Sequence, residues 1–203
     1  MSSENILVLD LETQRSFKDV GKQNLDKLRV SVVGIFDYRR GSYEAYEEKD
    51  LISLDQRIRE AGLLIGFNIR RFDLPVLAPY LFIPIENLPV LDLLDGIEKV
   101  RGHRASLDSI AQPTLKLRKS GTGFDALTLF REGKMEELKR YCLDDVRLTK
   151  EVYDYGRANG KIYFTSTWDY KTYEIPVNWE EETREMLRSD KTAKPAEFPT
   201  SLF

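Results

Sequence analysis

Two hydrophobic rhythms run along this chain. Ile6-Leu7-Val8-Leu9-Asp10-Leu11 is a nearly continuous apolar run, the pattern of a central strand covered on both faces, with acids arriving at its end. Val30 to Phe36 is β-rich and Ser42 to Tyr46 follows Arg40-Gly41, which predicts a hairpin and, with the first strand, a three-stranded meander. The rhythm then turns helical. Leu51, Leu54, Ile58 and Ala61 place a helix over residues 47–61, closed by Gly62. Strands over 63–67 and 88–93 flank a helix over 73–82 with Pro75 in its first turn. Ser106 caps a short helix, a basic loop with Gly121 and Gly123 leads to a helix near 124–131, and the longest helix runs from about Met135 to Gly156. Residues 161–164 and 170–177 form a second hairpin, Asn178 caps a charged helix over 179–188, and the last dozen residues are expected to be disordered. A meander followed by alternating helices and strands describes an α/β fold: a mixed sheet with helices on both faces.

Composition narrows the class. At 203 residues and 41% hydrophobic, the chain supports one core. We read residues 1–160 as the domain and 161–203 as a hairpin, helix and flexible tail packed on it or tethered to it. The opening MSSENILVLDLETQ has no basic leader and only a short apolar run, so a soluble, cytoplasmic protein that makes no use of a membrane is expected. One cysteine excludes an internal disulfide, and one histidine leaves no Cys/His set for zinc. A metal, if present, is held by oxygen. The net charge of −3 argues against a protein that coats nucleic acid, although Arg70-Arg71, residues 101–104 and residues 116–119 are local basic groups that could line a phosphate track. Each reads first as an ordinary solvated face.

Three short segments carry candidate chemistry. Asp10 and Glu12 stand two apart on a strand, so both leave the same face and their oxygens can share a cation. With 34 acids in the chain, chance supplies about one such D-x-E pair, and its place at the end of a buried strand gives it weight. Asp73 begins a helix after Gly66-Phe67-Asn68-Ile69-Arg70-Arg71-Phe72, where it reads equally as a helix cap and as a ligand. Tyr141 and Asp145 stand four apart and interrupt the apolar stripe Leu138, Leu148, Val152, which turns Asp145 inward. Its neighbour Asp144, flanked by Arg140 and Arg147, suits an exposed ion pair. Thr13, Asn68 and Phe72 are the candidate substrate contacts.

In order, LDLET, GFNIRRFDLP and YCLDDV resemble the three motifs of the DEDD exonuclease superfamily over about residues 5 to 155. Tyr141 before Asp145 matches the tyrosine (DEDDy) type, since the histidine type would place His where Arg140 stands. SLDSIA, the KSGTGF loop and the final hairpin are similar to a stand-alone, helicase-associated bacterial and archaeal group. The resemblance implies a ribonuclease H-like five-stranded sheet and two Mg²⁺ or Mn²⁺ ions gathered by Asp10, Glu12, Asp73 and Asp145. It implies 3′-to-5′ hydrolysis of single-stranded or frayed ends, with DNA favoured and RNA a second substrate, releasing nucleoside 5′-monophosphates. Tyr141 would orient the attacking water. Asp10 would bridge the ions, Glu12 and Asp145 would hold the nucleophile side and Asp73 the other. A helicase or polymerase is the partner class implied. An endonuclease or a non-catalytic binding module of the same fold are the alternatives.

Overall fold

The protein is described here by a computed structural model covering residues 5–118, 123–166 and 168–192. Its sheet is built from β1 (Ile6–Thr13), β2 (Val30–Asp37), β3 (Ser42–Glu47), β4 (Leu63–Gly66) and β5 (Val90–Asp92), in the order β3-β2-β1-β4-β5. The meander β1-β2-β3 is antiparallel, and β4 and β5 continue parallel to β1. Around the sheet lie α1 (Phe17–Val20), α2 (Leu51–Glu60), α3 (Asp73–Leu77), α4 (Leu93–Arg101), α5 (Leu107–Leu115), α6 (Gly123–Arg131) and α7 (Met135–Asn159). A two-stranded sheet of β6 (Lys161–Thr165) and β7 (Thr172–Pro176) follows, then α8 (Trp179–Thr192). The tail expected to be disordered begins later than its sequence suggests, since Lys191 and Thr192 still belong to α8, and residues 193–203 lie outside the described residues.

Strand alternation divides the core into two layers. Leu7, Leu9 and Leu11 pack with Leu54 and Ile58 of α2 and Leu74 and Leu77 of α3. Ile6 and Val8 face the other way, toward Ile97 of α4, Ile110 of α5 and Val146 and Val152 of α7. Each such buried aliphatic side chain contributes about 1.5–3 kcal/mol relative to exposure. Because side chains alternate, the even positions that begin as Ile6 and Val8 continue as Asp10 and Glu12, on the α7 face. The site therefore grows out of the core's own register.

Three sequence expectations change. The helix expected over 73–82 ends at Leu77 and passes into a 3₁₀ turn, Ala78–Tyr80. Pro79 has no N–H to donate to the Pro75 carbonyl, so the α-helical ladder cannot continue past this point although Ala78 keeps helical dihedrals. The strand expected over 88–93 spans only Val90–Asp92, because the Asp92 carboxylate accepts the Leu94 N–H at 3.0 Å and starts α4, a helix the apolar run Leu91-Asp92-Leu93-Leu94 conceals. The helix expected over 47–61 opens as a 3₁₀ turn, Glu48–Asp50, and becomes α2 at Leu51.

At the C-terminal side, Trp179 is 1% exposed. Its ring lies so close to Gly156 of α7 that a Cβ there would fall 2.3 Å from it, and it stacks on Tyr153 with centroids 6.2 Å apart. Among the described residues, no helix is long and apolar enough to cross a membrane.

Candidate active site

A cleft of about 320 Å³ opens at the C-terminal end of β1. It is lined by every residue singled out in the sequence: Asp10, Glu12, Thr13, Asn68, Phe72, Asp73, Tyr141 and Asp145. One carboxylate oxygen from each of Asp10, Glu12 and Asp145 lies within 4.8 Å of the other two. Three anionic groups at that separation repel one another, and a divalent cation between them converts the repulsion into ligation.

Close packing brings Asp145 to β1. Asp10 pairs with Gly34 across the β1-β2 ladder, and a Cβ at Gly34 would stand 2.9 Å from Val146 Cγ2 and 3.0 Å from Cys142 Sγ. With hydrogen there instead, α7 lies directly on the strand backbone. The Cys142 thiol reaches the Asp10 carbonyl oxygen at 3.5 Å. Tyr141 and Asp145 flank this contact on the buried stripe of α7, and Asp145 is 2% exposed. Asp144 instead forms a surface pair with Arg147 at 2.6 Å.

Burial pushes the Tyr141 phenol well above its ordinary range, and the charges of Asp145, Glu12 and Asp10 push it further. Its hydroxyl is buried and has no hydrogen-bond partner among the described residues. It is a neutral O–H donor at physiological pH.

Asp73 stands apart from the three clustered carboxylates. It is the first residue of α3, with Phe72 in the cap position, so the cap reading gives way to a tertiary one: its Oδ1 accepts the Leu11 N–H at 3.1 Å. Burial raises its pKa well above the usual carboxylate range, and the neighbouring Asp10 charge adds to the rise. With the Asp10 charge beside it, Asp73 ionises less readily than a free carboxyl.

The loop before Asp73 is held by a residue that sequence reading missed. Asp92 is 4% exposed and accepts the N–H groups of Asn68 at 2.8 Å, Arg70 at 3.0 Å and Leu94 at 3.0 Å. These bonds fix Asn68 at φ 67°, a left-handed conformation that asparagine tolerates. Burial raises the Asp92 pKa, and the backbone donors act against it. Arg15, Ser16, Phe17 and Leu127 also line the cleft and were not singled out. Phe17 sits on α1, whose start is tied by the Ser16 N–H donating to Asp19 at 2.7 Å, and meets Phe72 edge-on with centroids 5.9 Å apart. The polar stretch before α1 and the single turn of α1 give Arg15, Ser16 and Phe17 no periodic signal.

The sequence profile of the RNase_H superfamily matches residues 9–156, well over half of the chain. The chain belongs to the RNase_H superfamily. The RNase_H assignment agrees with the mixed sheet order and its flanking helices, and superfamily members generally hydrolyse phosphodiester bonds with divalent metals. No curated protein matches the sequence. Among solved structures, a family B DNA polymerase from the hyperthermophilic archaeon Pyrobaculum calidifontis is similar, with TM-score 0.59 and 18% identity. The likeness covers 74% of this RNase_H chain and 24% of the polymerase, so the chain spans about a quarter of that protein's length. At this identity the likeness is one of fold.

Proposed function

We propose that this RNase_H-superfamily protein is a tyrosine-type DEDD exonuclease that removes nucleotides from 3′ ends. Single-stranded or frayed DNA is its first substrate class. The observation that carries the reading is the convergence of Asp10, Glu12 and Asp145 within 4.8 Å, in one cleft with Asp73 and Tyr141. An all-oxygen donor set suits Mg²⁺ or Mn²⁺, held by Asp10, Glu12 and Asp145 with Asp73 at the margin. When bound, two such ions acidify a water and neutralise charge on the departing 3′ oxygen.

The chain's own groups do the positioning. Tyr141, protonated and unpartnered, donates to the attacking water and orients it; so high a pKa makes it a poor general base. Asp73 takes up full charge when a cation offsets Asp10. Phe17 and Phe72, in contact edge-on, form one aromatic wall for the terminal base, and Arg15, Thr13 and Asn68 offer polar contacts to the terminal nucleotide. We place this machinery in residues 1–160, with 161–203 as an attached element. A polymerase or helicase that exposes 3′ ends is the partner class this activity would serve.

Digestion of 5′-labelled single strands tests the reading. With Mg²⁺ or Mn²⁺ the products should shorten by single nucleotides from the 3′ end, and EDTA should stop the reaction. Cleavage of a circular single strand, or internal cuts in a linear one, would contradict it.

A further inference from the structure

We propose that the β6-β7 hairpin and the adjoining segment 101–104 form a stacking platform for the single strand upstream of the cleft, an inference that rests on the nuclease reading above. Trp168 is 89% exposed and Tyr170 84%, and Tyr173 and Val100, which share a groove with Trp168, are exposed as well. Hydrogen bonds tie Trp168 and Tyr170 to the hairpin. Ser166 Oγ accepts the Trp168 N–H at 3.2 Å, the Ser166 N–H donates to the Lys171 carbonyl at 2.9 Å, and the Tyr170 N–H donates to the Ser166 carbonyl at 3.1 Å. Tyr170 has φ 57°, an uncommon conformation for a bulky residue, and it leaves the phenol in solvent. Trp179 went into the core; Trp168 did not.

A groove of about 510 Å³ runs between these aromatics and the end of α4, lined by Arg101, His103, Trp168 and Tyr173. The Arg101 guanidinium lies 3.3 Å from the Phe164 ring centroid, and its buried Nη1 meets no hydrogen-bond acceptor among the described residues. Half-buried in the groove wall, Arg101 brings a cation there, and its charge suits a phosphate. The acids in the groove are engaged: Asp169 accepts the Tyr173 hydroxyl and Glu174 pairs with Lys161 at 2.8 Å. Three residues beyond Arg101, Arg104 donates to the side-chain oxygen of Asn68, which lines the catalytic cleft. One short segment, 101–104, thus reaches from the groove, at Arg101 and His103, to the cleft, at Arg104. Exposed aromatics with interleaved cations suit single-stranded nucleic acid, whose bases stack while its phosphates take the charge.

The test uses the full chain in EDTA with a fluorescein-labelled oligo-dT of about 16 nucleotides, a length within the usual single-strand site sizes. Anisotropy should show saturable binding that quenches the exposed Trp168 emission. Trp168→Ala and Tyr170→Ala should each weaken it by roughly tenfold, the scale of one lost base stack. Arg101→Gln should flatten the salt dependence. Unchanged circular dichroism and buried Trp179 emission would show that the variants fold. No binding by wild type, or binding by the Trp168→Ala/Tyr170→Ala double variant within about twofold of it, overturns the platform. A chain that binds in this way yet digests no 3′ end with metal sinks the exonuclease reading and leaves the platform standing.

Discussion

Two groups of carboxylates sit at the same end of the sheet, both at least half-buried, and are treated in opposite ways. Asp92, at the end of β5, receives three backbone N–H groups, so its charge is solvated by the fold itself. Asp10, Glu12 and Asp145 are turned toward one another, and Asp73, next to them, accepts one N–H from Leu11 and feels the Asp10 charge. The first arrangement builds a loop. The second concentrates negative charge within a few ångströms, the donor arrangement that the proposed cation site requires.

Exchanging a single group in each set separates them most sharply. Asp10→Asn should cut metal-dependent cleavage on the order of a thousandfold or more, since metal charge stabilisation is worth several kcal/mol. Its metal-free thermal midpoint should hold or rise as repulsion is relieved; a fall of many degrees in calorimetry would overturn this contrast. Asp92→Ala should behave the other way. Stripping three donors of their acceptor should cost about 2–4 kcal/mol of stability, read as a clear drop in urea midpoint. Cleavage should fall too, through the displaced Asn68 loop.

Gly34→Ala probes the packing that joins α7 to β1. Overpacking against Val146 and Cys142 should cost about 1–3 kcal/mol, and shifting Asp145 should lower turnover beyond what the unfolded fraction explains. If turnover follows stability alone, the close approach is only structural.

The smallest effect is a pH slope. The Asp73 pKa is raised above the ordinary 3.8, so between these values the folded state binds more protons than the unfolded one. Its contribution to metal-free stability therefore grows as pH falls from neutral through the raised folded pKa and is complete below 3.8. Asp73→Asn should remove that slope while acids with lowered pKa values, such as Glu44 beside Arg57, still lose stability in acid. An unaltered slope in the variant would contradict the assignment to Asp73.

The contrast also explains what could be read from sequence. Asp10, Glu12, Tyr141 and Asp145 lie on long periodic elements, where a polar residue in an apolar stripe stands out. Asp92 lies inside a short apolar run, and its three partners come from residues up to 24 positions away, so nothing local marks it. Helix α4 was hidden for the same reason: its cap is the last residue of a strand. Arg15 reaches the cleft from a polar loop and Phe17 from the single turn of α1, neither long enough to show a period. The sheet and its helices follow from hydrophobic rhythm, whereas the loops that complete the cleft depend on contacts made only after folding.

The central claim is that Asp10, Glu12 and Asp145, with Asp73, are gathered to hold divalent cations. Titration with Mn²⁺, following the free ion by electron paramagnetic resonance, tests it without substrate. The account predicts saturable uptake of about two ions per wild-type chain, strongly weakened in Asp10→Asn. Equal uptake by both chains, or none by wild type at millimolar Mn²⁺, would contradict it.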